Sequence, residues 1–280
     1  MGYSTIQVQP INPDIGAVIA GVDLSQPLAE RTRDELAAAL AEHLVVFFRD
    51  QHLDHDQHVR FSKSFGSLFV HPALRHPETH PEIQYIQYHE GREPPPAEFH
   101  TDATFMKAPF MGCILRAVDV PEVGGETMWA SLYAAYDALS DKMQAFLSGL
   151  TAVHTPDRAF GTRGTLGSRR PAQAAENDIK VLGDAVHPVV RTHPVTGRKA
   201  LFVNRSFTQS VVGLKPAESE TLLNFLFNHI EAPDFAVRWH WRNGSVAFWD
   251  NRCTVHRAVN NFKQQGRLLF RTTIEGDVPV

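Results

Sequence analysis

The sequence AVRWHWRNGSVAFWDNRCTVHRAVNNFKQQGRLLFRTTI, residues 236–274, decides the fold of this chain. Its runs of β-branched and aromatic residues predict four successive strands. The Arg242-Asn-Gly244 turn after the first run is typical of a β-hairpin. We therefore expect the C-terminal third to be an antiparallel strand meander, with strands at 236–241, 245–249, 254–259 and 267–274.

Short strands also outnumber helices in the rest of the chain. Helices are predicted where apolar residues recur at helical spacing, as in 30–43, or where a capping residue precedes the run, as Asp54 does. A mainly β chain with a few flanking helices favours an antiparallel double-sheet barrel, a jelly roll (cupin-like double-stranded β-helix) with outer helices. The length suits one domain, 1–280. The other expected elements are helices at 54–65, 131–139, 140–150 and 216–230, and strands within 5–24 and at 44–48, 83–88, 112–120, 126–130, 185–192 and 200–204.

Residues 155–184 are polar and without clear periodicity, and they include Arg163, Arg169 and Arg170. A long segment of this kind inside a compact domain is usually a lid, a binding loop or disorder. We expect a lid and leave the other two possibilities open.

Composition excludes several classes of partner. The net charge of -4 and the absence of a Lys/Arg run argue against nucleic acid. No basic-then-apolar leader and no apolar run of membrane-spanning length are present, so we expect a cytoplasmic protein without membrane association. Cys113 and Cys253 are too few for a disulfide framework and are interpreted as buried reduced thiols.

The stretch Glu98-Phe-His100-Thr-Asp102 is the first candidate for chemistry. In a strand, residues i and i+2 project to the same face, so His100 and Asp102 could bind one ion together. Two His and one carboxylate on one face of an octahedron leave three positions open, as in non-haem Fe(II) enzymes. The pattern is short and recurs by chance, and a third ligand has to come from elsewhere.

The C-terminal strands supply further candidates. His256 lies on one predicted strand, while Arg267 begins the next and Arg271 follows four positions later. If the two strands form a hairpin, Arg267 lies across from the metal-binding region. No acidic residue on these strands is an obvious partner for it, so a ligand carboxylate is attractive, because an unpaired buried charge is costly.

Together these residues resemble a known family, the Fe(II)- and 2-oxoglutarate-dependent dioxygenases of the taurine dioxygenase (TauD/TfdA) family. The resemblance covers nearly the whole chain, with several motifs in the same order. Its motifs are His100-x-Asp102, His256, Arg267, Gly124-Gly-Glu-Thr127-Met-Trp129, Trp249-Asp-Asn251-Arg, Ile15-Gly-Ala, Val45-Val-Phe-Phe-Arg49-Asp50, His187-Pro-Val-Val-Arg191-Thr-His-Pro and Gly276-Asp.

The resemblance implies an oxidoreductase and a set of residue roles. It implies that His100, Asp102 and His256 ligate Fe(II), and that Arg267, helped by Thr127, binds the distal carboxylate of 2-oxoglutarate. Such enzymes use O2 to hydroxylate a substrate C–H bond while 2-oxoglutarate becomes succinate and CO2. Dimers or tetramers are common among such proteins, so a homo-oligomer is expected.

The resemblance also implies where a small anionic substrate binds. His71 and Arg271 match the positions that hold the sulfonate in taurine-type members, and Phe160 matches an aromatic position of that pocket. Three positions depart from the taurine pattern of Tyr, Asn and Ser, and each loses a hydrogen-bonding side chain: Leu74, Pro96 and Ala159.

These departures favour an anion with an apolar body over taurine, because each buried CH2 contributes roughly 0.8 kcal/mol. Alkyl sulfates, longer alkanesulfonates and aryloxyalkanoates all fit, and taurine itself stays an alternative. Two other classes of protein stay open at this point. One is a non-catalytic jelly-roll binding module, and the other is a Zn2+ hydrolase with the same ligands.

Overall fold

Strands form most of the regular structure of the protein. The computed structural model describes residues 2–71, 76–91, 97–157, 183–262 and 265–280. The strands are β1 (Gln7–Pro10), β2 (Ala17–Ala20), β3 (Val45–Phe48), β4 (Gln84–Tyr88), β5 (Gly112–Asp119), β6 (Thr127–Ser131), β7 (Thr151–His154), β8 (Ala185–Pro188), β9 (Val190–Thr192), β10 (Lys199–Leu201), β11 (Thr208–Val211), β12 (Ala236–Trp239), β13 (Val246–Asp250), β14 (Thr254–Ala258) and β15 (Arg267–Ile274). The helices are α1 (Glu30–His43), α2 (His55–Lys63), α3 (Leu132–Asp137), α4 (Asp141–Leu147) and α5 (Pro216–Ile230), with a 3-10 turn at Pro233–Phe235.

A larger and a smaller sheet form the jelly roll that the sequence predicted. The larger has the strand order β1-β2-β3-β13-β5-β15-β4, and the smaller has the order β12-β6-β14. Strands β2 and β3 pair in parallel, while the other pairs of these two sheets are antiparallel. The fold class is therefore confirmed, with one parallel pair added to an otherwise antiparallel barrel.

The central strands β3 and β13 of the larger sheet are buried on both faces, and their side chains alternate between two cores. On β3, Val45 and Phe47 belong to the core between the sheets. Val46 and Phe48 belong to a second core, which also contains Leu36 of α1. This period-2 alternation places every second residue of the sheet in the interior, where the candidate site lies.

The predicted hairpin at Arg242-Asn-Gly244 is wrong. Strand β12 pairs with β6 in the smaller sheet, whereas β13 pairs with β3 and β5 in the larger one. The turn carries the chain from one sheet to the other, and Gly244 N donates to Ala117 O of β5 at 3.1 Å. The last four strands alternate between sheets in the same way, so the predicted meander is wrong as well.

Two strands, β7 and β11, were not predicted from the sequence. Both are short and partly polar. With β8 they form a separate sheet of order β11-β7-β8. The segment predicted as one strand at 185–192 divides at Val189, since β8 pairs with β7 and β9 with β10.

Cys113 and Cys253 are buried free thiols, as expected. Among the described helices, none is long and apolar enough to cross a membrane. Most of the predicted lid, 155–184, lies outside the described residues. The lid, the single domain, the cytoplasmic location and the homo-oligomer stay predictions.

Candidate active site

Three predicted ligands converge between the sheets. His100 Nε2 lies 3.8 Å from Asp102 Oδ1, and His256 Nε2 lies 3.8 Å from Asp102 Oδ2. One potential ligand atom from each residue falls within 4.8 Å of the others, a spacing that suits a single metal ion. Sequence reasoning therefore found three residues that the fold brings together from distant parts of the chain.

Backbone pairing holds the two histidines side by side. His100 N donates to His256 O at 3.0 Å, and His256 N donates to His100 O at 2.7 Å. The Nδ1 of His100 lies 2.9 Å from Glu98 O, so Nδ1 donates a hydrogen to this carbonyl and Nε2 is the nitrogen that faces Asp102. The ring is therefore oriented to ligate a metal through Nε2.

The placement of His100 and Asp102 on one strand is wrong in detail. His100 forms only an isolated bridge with His256, and Asp102 lies in the turn that follows. Ala103 has a φ of 51°, which reverses the chain immediately after the carboxylate. A turn, rather than the pleat of a strand, directs Asp102 towards the histidines.

The hairpin expected between the strands of His256 and Arg267 is also wrong. Strand β14 pairs with β6 in the smaller sheet, and β15 pairs with β4 and β5 in the larger. Leu269, which lies between Arg267 and Arg271 on the same face of β15, belongs to the core between the sheets. Both arginines therefore project into the space that the histidines face from the opposite sheet.

Arg271 lies directly beside the ligand cluster. Its Nη1 is 3.1 Å from Asp102 Oδ1, and the Cys113 thiol donates to Oδ2 at 3.3 Å. Burial alone would raise the pKa of Asp102, but the positive charge of Arg271 and the nearby histidines hold it well below its usual range. The carboxylate is therefore ionised and able to bind a cation.

Arg267 is buried without a protein partner for part of its guanidinium. It is 3% exposed, and within the described chain its Nε and Nη2 have no hydrogen-bond partner. Burial lowers its pKa to about 10, so the side chain still carries its charge at neutral pH. An unpaired buried cation is costly, and a ligand carboxylate would satisfy it.

Gly125, two residues before Thr127, lies beside this arginine. A Cβ on Gly125 would be 3.5 Å from Arg267 Nε, so glycine leaves room beside the guanidinium. Thr127 Oγ1 accepts from Trp241 Nε1 at 3.0 Å, which leaves the hydroxyl hydrogen available to donate.

His71 lies near Arg271 because the segment that contains it runs alongside the end of β15. Phe69 N donates to Thr273 O at 2.9 Å. Burial, followed by repulsion from Arg271, lowers the pKa of His71 to about 4. His71 is therefore neutral at pH 7 and can serve an anion as a hydrogen-bond donor, while Arg271 supplies the charge.

Other predicted substrate residues lie outside the described part of the chain: Leu74, Pro96, Ala159 and Phe160. The structure adds an apolar pair that sequence reasoning missed, Phe105 and Phe207, whose rings lie 5.1 Å apart. Phe207 is 6.2 Å from the His100 ring, centroid to centroid. Phe105 follows Asp102 by three residues, a proximity that could have singled it out.

A second buried cluster, His193, Asp250 and Cys253, also has metal-like spacing, but its polar atoms are already engaged. His193 Nδ1 accepts from Val195 N and Thr196 N, so Nε2 carries the hydrogen and donates to Asp250 Oδ2 at 3.1 Å. Arg252 binds both oxygens of the same carboxylate. The cluster thus fixes the turn between β13 and β14, and with it the start of the His256 strand.

The chain is similar to known proteins over nearly its whole length. The family model "Taurine catabolism dioxygenase TauD, TfdA family" matches residues 7–273. An alkylsulfatase of Acinetobacter baylyi is 35% identical, over 98% of this chain and 86% of the relative. An alpha-ketoglutarate-dependent sulfate ester dioxygenase of Pseudomonas putida is 36% identical, over 98% and 91%. The crystal structure of a taurine dioxygenase from Burkholderia xenovorans superimposes with a TM-score of 0.85 at 40% identity, over 99% and 91%.

Proposed function

The chain belongs to the taurine catabolism dioxygenase TauD, TfdA family, and we propose that it is an Fe(II)-dependent member that hydroxylates a small organic anion with an apolar body. Membership confirms the resemblance drawn from the motifs and makes the protein an alpha-ketoglutarate-dependent dioxygenase, an oxidoreductase. It sets aside the binding module and the zinc hydrolase.

The proposed metal ligands are His100, Asp102 and His256. The observation that carries the proposal is the convergence of their ligand atoms within 4.8 Å between the sheets. Two neutral imidazoles and one carboxylate are the donor set of the facial triad, which fits Fe(II) and leaves positions for a chelating cosubstrate and O2. When bound, Fe(II) with 2-oxoglutarate supplies the oxidation of the C–H bond, while 2-oxoglutarate is converted to succinate and CO2.

Arg267 and Thr127 are the proposed partners of the distal carboxylate of 2-oxoglutarate. Two guanidinium nitrogens of Arg267 have no hydrogen-bond partner among the residues that the structure describes, and they support this assignment, because a bidentate pair with a carboxylate would satisfy both. The Thr127 hydroxyl has its hydrogen left to donate. This end of β15 thereby orients the cosubstrate.

Arg271 and His71 are the proposed partners of the substrate's anionic head group, and the apolar body would lie along a wall that includes Phe105 and Phe207. Alkyl sulfates are our first candidates, because the alkylsulfatase and the sulfate ester dioxygenase described above are named for this chemistry. Alkanesulfonates and aryloxyalkanoates stay within the proposal, with taurine as the alternative. Hydroxylation next to the heteroatom gives an unstable product that collapses to a carbonyl compound and releases sulfate, sulfite or a phenol.

The test is an assay of succinate formation with Fe(II), 2-oxoglutarate, O2 and a panel of alkyl sulfates, alkanesulfonates, aryloxyalkanoates and taurine. We expect O2-dependent succinate in a one-to-one ratio to substrate consumed, with hexyl sulfate well above taurine. Taurine as the best substrate would overturn the preference for an apolar body. Turnover with no member of the panel would overturn the proposed substrate class.

The two arginines of β15 give a reciprocal prediction. Arg271→Gln should raise KM for the anionic substrate at least tenfold and leave KM for the cosubstrate within about twofold, since a charged hydrogen bond contributes about 1.5–3 kcal/mol. Arg267→Gln should do the reverse. Steady-state kinetics with each ligand varied in turn measure the pair, and equal damage to both constants in either variant would sink the assignment.

A further inference from the structure

Gln84 is a buried polar residue of β4 that has no role in the site as described so far. It is 2% exposed and lies directly opposite Arg271 in the pairing of β4 with β15. Its Oε1 accepts from Arg271 Nε at 3.0 Å and from Nη2 at 2.7 Å. One amide oxygen therefore holds one side of the guanidinium.

The hydrogen-bond inventory of Arg271 shows what this contact leaves over. A guanidinium has five N–H donors in a planar fork. Gln84 takes one on Nε and one on Nη2, and Asp102 takes one on Nη1. Within the described residues, one N–H on each terminal nitrogen is left. Two donors on adjacent nitrogens match two oxygens of a sulfate, sulfonate or carboxylate group.

The side-chain amide of Gln84 is neutral, so it holds Arg271 without compensating the positive charge of the guanidinium. Asp102 already offers one negative charge to Arg271 through a single contact, Nη1 to Oδ1. A guanidinium released from Gln84 could rotate to bind Asp102 through both oxygens, because carboxylates favour the bidentate pair. That rotation would withdraw the remaining donors from an incoming anion.

We propose that Gln84 is a positioning residue that holds Arg271 in the orientation in which its two remaining terminal N–H groups bind the anionic head group of the substrate. The inference rests on the proposed function, in which Arg271 binds that anion. Gln84 itself does not contact the anion, so its effect passes through Arg271.

The experiment is calorimetric titration of hexyl sulfate into the protein loaded with Mn(II) and N-oxalylglycine, an unreactive analogue of 2-oxoglutarate. Gln84→Met removes the acceptor at similar volume. Gln87→Met is the matched control, because Gln87 is an exposed residue of the same strand. We expect Gln84→Met to weaken hexyl sulfate binding about tenfold or more, as for loss of hydrogen bonds to a charged group. Gln87→Met should bind like the wild type, and the affinity for N-oxalylglycine should change less than twofold in both.

A double-mutant cycle separates positioning from general damage. In an Arg271→Gln background, Gln84→Met should cause no further loss of hexyl sulfate affinity. If Gln84→Met fails to fold, Gln84→Leu also removes the acceptor oxygen in a side chain of similar size, and it should weaken anion binding in the same direction. Wild-type affinity in Gln84→Met or Gln84→Leu, or the same loss with and without Arg271, would overturn the inference alone. Absence of hexyl sulfate, hexanesulfonate and phenoxyacetate binding to the wild type would overturn the proposed substrate class and the inference with it.

Discussion

At the scale of single residues, Asp102 is the side chain on which two histidines, an arginine and a thiol converge. It faces both histidines, accepts from Arg271 and accepts from the thiol of Cys113. Burial raises the pKa of Cys113, so the thiol stays protonated and able to donate. Asn251 Nδ2 in turn lies 3.5 Å from the sulfur. The orientation of the proposed metal ligand thus depends on a residue that the sequence marked only as a buried cysteine.

Replacement of Cys113 should therefore change metal affinity. Cys113→Ala removes a donor to Asp102, and the loss of such a partner typically weakens metal binding about 10- to 100-fold. Cys113→Ser keeps a donor and should remain within a few-fold of the wild type. Anaerobic Fe(II) titration followed by tryptophan fluorescence measures both, because the Trp249 ring lies 4.8 Å from that of His256. Equal affinity in Cys113→Ala and the wild type would contradict the role.

At the scale of secondary-structure elements, helix α2 supports the strand that carries both arginines. The Ser62 hydroxyl lies 2.6 Å from that of Thr272, on the face of β15 opposite Arg271. The helix begins with a capping box, in which Asp54 Oδ1 accepts from Gln57 N at 2.7 Å and Gln57 Oε1 accepts from Asp54 N at 2.8 Å. The predicted N-cap is therefore confirmed together with its partner.

Loss of this cap should lower the free energy of unfolding and leave the catalysed reaction unchanged. Asp54→Ala should lower the free energy of unfolding by about 1 kcal/mol, while Asp54→Asn, which keeps a capping oxygen, should lower it much less. Urea unfolding of the two variants beside the wild type gives the comparison. A loss as large in Asp54→Asn as in Asp54→Ala would assign the effect to charge instead of capping.

Elements whose signal is local were predictable, whereas their pairing was not. The apolar periodicity of α1 and α5 and the apolar run of β15 gave their observed bounds. The turn at Arg242-Asn-Gly244 has hairpin chemistry, yet it connects two sheets, because turn residues specify a reversal and not the partner strand. The proposed metal ligands and Arg267 were identified through family motifs. Gln84 and Phe207 were missed, since their roles come from contacts between distant segments.

At the scale of the whole molecule, burial of neutral histidines links stability to pH. His58 and His154 are 0% exposed, and burial is the main cause that lowers the pKa of each to about 3. In the unfolded chain a histidine binds its proton near pH 6.5. Between these values the unfolded state holds more protons than the folded state, so stability falls as pH falls.

We expect each such histidine to lower the free energy of unfolding by about 1.4 kcal/mol per pH unit below about pH 6.5. Urea unfolding at pH 6.5, 5.5 and 4.5 measures the slope. His58→Gln should reduce the slope by that amount, because it removes one titrating group. An unchanged slope in His58→Gln would show that His58 is not among the groups responsible.

The bridge between His100 and His256 joins positions 156 residues apart (256 minus 100). A contact of such long range forms only after the intervening chain has collapsed. During synthesis, which delivers the N-terminal part first, His100 and Asp102 emerge well before their partner. The proposed ligand set is therefore incomplete until His256 has been synthesised and has paired with His100, so we expect metal capture to follow the collapse of the chain between them.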